Sequence, residues 1–110
     1  MYVIGQGLFG KIKFVDGQYP GYDRAYLIVF VCSNKIGTLN VSSVAGKEHK
    51  LLLRTNKEIT KYNPPFYKKS FVKLDSLTYI SIQNAQHMHL MDNGRTLDRA
   101  ELKCIINAIL

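Results

Sequence analysis

The chain has 110 residues, fifteen of them Lys or Arg against eight Asp or Glu, for a formal charge of +7. That length suits one domain with a modest core, and an apolar share of 46% excludes a disordered tail. The charge surplus predicts a polyanionic partner (RNA, DNA, an acidic protein or an anionic membrane) without choosing among them. No apolar run approaches the eighteen or so residues a membrane-spanning helix needs. The N-terminus lacks the basic, apolar and small-residue regions of a signal peptide. Cys32 and Cys104 sit in apolar segments without CxxC spacing, which predicts reduced core thiols and a cytoplasmic protein.

Residues 1–9 are short and Gly-containing and read as an irregular lead-in. Lys11 to Asp16 alternates, with Ile12 and Phe14 on one side and Lys11 and Lys13 on the other, which predicts a strand with one wet face. The loop 17–24 carries the Pro20-Gly21 turn signal. Ala25 to Cys32 is a β-branched and aromatic run, predicted to be a strand buried on both faces. Residues 33–37 are a turn cluster that closes a hairpin onto Thr38 to Val44. A second turn, 45–48, opens into His49 to Arg54, where Leu51 and Leu53 share a face. Thr55 to Ile59 reads as one helical turn. Within residues 55–69, Pro64-Pro65 excludes a helix interior and a central strand. Ser70 to Ile82 reads as one long strand, with Val72 and Leu74 on the core face and Lys73 and Asp75 together on the other. Residues 83–95 are polar, a hairpin arm or loop. The last element is a helix: Asp98 is its N-cap, Glu101 completes a capping box, and Leu97 and Leu102 have the spacing of a hydrophobic staple. Leu102, Ile105, Ile106, Ile109 and Leu110 form its apolar stripe, which must cover either the sheet or a second copy of the chain. Short strands followed by one helix predict a small antiparallel barrel or curled sheet.

Three groups of residues carry chemistry. Arg24, Ser42, Ser43, Lys73 and Asp75 lie at predicted strand ends, where a small barrel would gather them at one mouth. Such a set has what RNA cleavage requires: a carboxylate to take the 2′-hydroxyl proton, a cation to supply one to the leaving oxygen, and Arg with hydroxyls to hold the phosphate. The structural alternatives are an Arg24 paired with Asp23 or another surface carboxylate, and a Lys–Asp pair on a strand, worth about 0–1 kcal/mol. His49 follows the serine strand and suits a phosphate contact or acid–base role near neutral pH. His87 and His89 share a strand face, but a metal site needs three or four converging ligands and no Cys accompanies them, so no metal is expected. The third group interleaves Lys57, Lys61, Lys68 and Lys69 with Tyr62, Phe66 and Tyr67. Such a loop either tracks phosphates while its rings stack on unpaired bases, or is a solvated loop with a ring or two in the core.

Taken in order, these segments resemble the MazF/PemK/Kid family of toxin endoribonucleases, whose fold is shared by the gyrase poison CcdB. Gly10-Lys11-Ile12-Lys13-Phe14-Val15-Asp16 resembles the family's first strand, and Arg24 with Tyr26-Leu27-Ile28-Val29 its Arg-Pro and buried strand. Asn40-Val41-Ser42-Ser43 with Gly46-Lys47 resembles its hydroxyl-ended strand and Gly-basic turn. Val72 to Ile80 resembles the segment written Arg-Cys-Asp-Gln-Pro-Arg-Thr-Ile in one branch. The resemblance implies a mainly β fold, a small antiparallel SH3-like barrel or curled sheet with a C-terminal helix, in one domain over 1–110. It implies a metal-independent endoribonuclease, the toxin of a type II toxin-antitoxin system. Such an enzyme cuts single-stranded RNA at short sequences into 2′,3′-cyclic phosphate and 5′-hydroxyl ends, acts as a homodimer and is silenced by an antitoxin, with no cofactor. Carried over, Asp75 is the base, Lys73 the acid or stabiliser, Arg24 the phosphate anchor and Ser43 or Ser42 the hydroxyl. Ser42, Lys47, His49, Lys68 and Lys69 are the expected RNA contacts. The chain departs from the family pattern in having Ala25 for Pro, Lys73 for Arg, and Ala45 where one branch has a hydroxyl. The competing expectation is a non-catalytic binder on the same fold, either a gyrase inhibitor or an RNA-binding module.

Overall fold

The structure, a computed structural model, describes residues 1–13 and 16–110. The apolar run after the Gly/Pro loop is its central strand, β2 (Arg24–Val31), and neither Leu27 nor Ile28 is exposed. Both faces of β2 are covered because the sheet has a core on each side. One gathers Leu27, Val29, Leu39, Val41, Val72 and Ile105, and the other Leu8, Ile12, Tyr26, Ile28 and Ile36. A strand packed on both faces needs apolar residues in succession, which is why the run does not alternate. β3 (Lys35–Ser43) returns antiparallel to β2 through the predicted turn, with Ala25 opposite Val41.

On the other side of β2 lies β1 (Gly7–Gly10), pairing Gly10 with Arg24. The lead-in 1–9 therefore contains a strand. Its glycines, which argue for irregularity in sequence, answer a close approach: a Cβ on Gly10 would lie 3.0 Å from Met88 Cγ. The strand expected at 11–16 is not found at 11–13. Ile12 is buried and Lys11 and Lys13 are exposed as the alternation requires, but the segment joins no ladder. Phe14 and Val15 lie outside the described residues.

The segment 49–54 is not a strand. Residues Glu48–Leu52 form a 3₁₀ turn held by i→i+3 bonds such as Lys50 N–H to the Lys47 carbonyl, and Leu52 is 86% exposed. The next segment, expected as a helical turn, is the edge strand β4 (Asn56–Ile59), with Ile59 fully buried. It pairs with β5 (Ser70–Lys73), Ile59 opposite Ser70 and Asn56 opposite Lys73. Between them Pro64-Pro65 stays out of the ladder, as its missing N–H groups require.

The long strand expected over 70–82 is broken. β5 lies along the end of β3, Val72 opposite Val41, and β6 (Thr78–Ser81) lies along its start, Thr78 opposite Thr38. Leu39 and Asn40 of β3 thus face five residues, Lys73 to Leu77. Ser76 closes the gap. Its hydroxyl accepts the Asn40 N–H at 2.8 Å and donates to the Lys73 carbonyl at 2.6 Å, replacing the missing ladder partner. Asp75 consequently sits exposed in a turn instead of beside Lys73 on a strand face. Asp75-Ser76, both turn formers, is the signal that marks this break.

Residues 82–94 supply a short helix α1 (Ile82–Ala85), a two-residue strand β7 (His89–Leu90) on the outer edge of β1, and a 3₁₀ turn. The sheet runs β4-β5-β3-β2-β1-β7, with β6 also on β3. It is antiparallel and open, since its path ends at β4 and β7. Helix α2 (Arg99–Ala108) starts at the predicted cap, with Asp98 accepting the Glu101 N–H at 3.1 Å. The box is half made, because the Glu101 carboxylate accepts the N–H groups of Thr60 and Lys61 instead. Ile105 and Leu97 cover the sheet while Ile106 and Leu110 remain exposed. Both cysteines are free thiols, but neither is a core thiol: Cys32 is half-buried and Cys104 lies on the exposed side of α2. Among the described residues no helix is long and apolar enough to cross a membrane.

Candidate functional site

The hairpin of β2 and β3 puts the first residue of one strand beside the last residues of the other. A cavity of about 330 Å³ opens at that rim. Of the sequence-predicted residues, Arg24, Ser42, Ser43, Lys47 and Lys68 line it. Arg24 comes from the start of β2, the serines from the end of β3, Lys47 from the turn after it, and Lys68 from the loop before β5. Residues separated by up to about forty positions in sequence therefore share one cavity because β3 returns along β2 and β5 returns along β3.

Aromatic side chains line the same cavity: Phe9 is 39% exposed, Tyr22 62% and Tyr67 61%, with Phe66 buried beneath. The Tyr22 ring lies 4.9 Å from the Arg24 guanidinium carbon, which orients that cation by a face-on contact. Tyr67 is held from its other end, its hydroxyl accepting the Asp92 N–H at 2.8 Å. Hydroxyls and the Asp23 carboxylate also line the cavity. Ser43 stands opposite Ser70, whose hydroxyl donates to the Lys68 carbonyl at 2.6 Å.

Lys73, Asp75, His49 and Lys69 do not line this cavity. In the antiparallel ladder the residue of β5 nearest the rim is Ser70, so Lys73 lies three residues inward. Side-chain alternation puts Arg24 and Ser42 on the face opposite Val41, and puts Lys73 on that same face, diagonal to Ser42 through the Ser42–Phe71 pair. Diagonal neighbours of this kind are about 7–8 Å apart. Ser43 alternates to the other face. Burial, the largest cause, and repulsion by Arg24, Lys50 and Lys47 lower the Lys73 pKa, while Asp75 opposes them. Those charges form one electrostatic neighbourhood, even though Asp75 stands in the exposed turn. His49 is exposed on the 3₁₀ turn, and Lys69 is paired with Glu58 at 3.2 Å. His87 and His89 belong to no cluster of three His, Cys, Asp or Glu side chains suited to a metal among the described residues.

Sequence reasoning missed Phe9, Tyr22, Ser70 and Lys50. Tyr22 had a usable signal, an aromatic residue in a polar loop beside a cation. Phe9 had none, since its place depends on β1 pairing with β2.

Chemically, the cavity offers cations, the Asp23 carboxylate, hydroxyls and open rings at one rim. It can hold a phosphate against Arg24 and Lys47 or Lys68 while an unpaired base lies on a ring. No protein-family model matches the chain, and no curated protein matches it.

Proposed function

We propose that this protein is a metal-independent endoribonuclease of the MazF/PemK/Kid type, acting in the cytoplasm as the toxin of a type II toxin-antitoxin pair. The observation that supports this reading most is the shared lining of one cavity by Arg24, Ser42, Ser43, Lys47 and Lys68 among exposed aromatic rings. In this reading Arg24 and the serines hold the scissile phosphate. The 2′-oxygen attacks phosphorus and gives its proton to a carboxylate, Asp75. The 5′-oxygen departs with a proton from the Lys73 ammonium, leaving a 2′,3′-cyclic phosphate and a 5′-hydroxyl. A lowered Lys73 pKa suits this role, because an ammonium that loses its proton more readily is a better acid. The basic surface suits an acidic antitoxin segment as well as RNA, and a homodimer is the expected assembly.

The purified protein is expected to cleave single-stranded RNA in EDTA and leave cyclic phosphate ends. Arg24→Ala is expected to lower that rate at least tenfold, a floor set below the about 10²–10³ that removing one aimed charge-stabilising donor costs. A folded Arg24→Ala protein of full activity overturns the site.

One observation favours a second reading, a non-catalytic binder: Lys73 and Asp75 stand outside the cavity that the other residues line. Asp75→Asn separates the two. Cleavage by the parent protein, abolished in the variant, supports the enzyme. Growth inhibition by both proteins without cleavage by either supports the binder.

A further inference from the structure

We infer that a second cavity, lined by Lys11, Lys13, Tyr19, Tyr79, Asn84 and His87, binds single-stranded RNA and continues the path that begins at Arg24. The inference rests on the reading of the first cavity as an RNA site. The second cavity has about 380 Å³ of space and, among its described lining residues, no Asp or Glu. Among those described lining residues its lysines meet hydroxyl, amide, imidazole, ring and apolar groups.

Two cations on this side of the molecule are already set over rings. Lys13 Nζ is 5.4 Å from the Tyr19 centroid and Lys35 Nζ is 4.9 Å from that of Tyr79. Tyr79 is 50% exposed and Tyr19 59%, so both rings have surface left for a base. Cations and open rings together, without base-specific geometry, are what a single strand recognises: phosphates on the lysines, bases on the rings.

The two cavities are linked along the chain at the end of β1. Phe9 lines the first and Lys11 the second, with only Gly10 between them, and Gly10 is the residue paired with Arg24. A strand held at Arg24 reaches Lys11 by passing over the end of β1. The missing side chain of Gly10 leaves room there for Met88, which lines the second cavity.

The test measures binding of 2′-O-methyl oligoribonucleotides, which cannot undergo 2′-oxygen attack. Lengths of about four and about twelve nucleotides fall near the two ends of known single-strand site sizes. The Lys11→Ala/Lys13→Ala protein is expected to bind the long probe about tenfold more weakly and the short probe unchanged. Its salt dependence for the long probe is expected to fall by about 1.4 in log–log slope, the loss of two phosphate contacts. A control of equal charge loss, Arg99→Ala/Lys103→Ala on α2 across the sheet, is expected to change neither affinity by more than about twofold. Unchanged long-probe binding in the Lys11/Lys13 variant, equal loss for both probes, or equal loss in the control overturns the second site. It leaves the first standing as long as the parent protein binds both probes. A parent protein that binds neither overturns both.

Discussion

Lys73 ends β5 half-buried, and its ammonium is opposed by Arg24, Lys50 and Lys47 more than it is helped by Asp75. Desolvation is the leading reason that its pKa lies below the ordinary 10.5. In the pH window between the lowered folded value and the unfolded one, the unfolded chain holds a proton that the folded chain has released. Stability from this group therefore rises with pH through that window, and below it the folded state carries the cost of a crowded charge. Lys73→Met, which keeps the stem and removes the charge, is expected to raise Tm at pH 7 and to flatten the rise as pH approaches 10.5. Unchanged melting at pH 7 with the same rise argues against the crowding. The same substitution is expected to slow RNA cleavage by about 10²-fold or more if Lys73 supplies the proton. Stability and activity then move in opposite directions at one residue, the pattern of a side chain held in place for function. Both serines line the cavity with Arg24, but Ser42 is the one nearer Lys73, because it shares the strand face of Arg24 and Lys73.

The break between β5 and β6 shows how one side chain sustains an element. Two residues of β3 face five on the neighbouring segment, and the buried Asn40 would lose its ladder partner there. The Ser76 hydroxyl takes that role and also ties the turn to Lys73. Ser76→Ala is expected to cost about 1–3 kcal/mol, the penalty of an unsatisfied buried N–H, read as a Tm lower by several degrees. Because the turn begins at Lys73, the variant is also expected to lose cleavage activity beyond what its stability explains. Helix α2 shows the complementary arrangement. Asp98 caps it locally, whereas Glu101, freed from the cap, fastens the helix to the loop at Thr60 and Lys61. The Pro-rich loop is thus anchored at the end away from Tyr67 and Lys68, the two residues it brings to the cavity.

As a whole, the molecule is a twenty-odd-ångström-thick slab, 35 × 31 × 24 Å, built on one open sheet with a core on each face. Among the described residues the ion pairs Lys61–Asp98, Lys69–Glu58 and Arg95–Asp92 involve none of the lysines of the second cavity. Part of the net charge of +7 borders the two cavities, as Arg24, Lys47 and Lys68 beside Asp23 at the first and Lys11 and Lys13 at the second. RNA affinity is accordingly expected to fall steeply with salt, with a log–log slope of about −0.7 for each phosphate contacted. Titration at several KCl concentrations checks this, and a flat profile would remove the electrostatic basis of the proposed function.

Local patterns in the chain are enough to determine several of its parts. The apolar run of β2 reads as a two-sided strand because its residues are apolar in succession. The α2 start reads from Asp98 because a cap is satisfied within one turn, and Pro64-Pro65 reads as loop because proline lacks a donor. Arg24, Ser42 and Ser43 are readable as one group because a hairpin joins their strands. What only the tertiary structure decided depends on partners distant in sequence. β1 is a strand because the edge of β2 was open to Gly7–Gly10, and β4 because β5 was open to it. The three-residue excess after Lys73, which moves Asp75 off the strand, follows from the register of two separate pairings to β3. Hydrogen-bond ladders are satisfied between segments, so no window of sequence contains both halves of the bond that decides them.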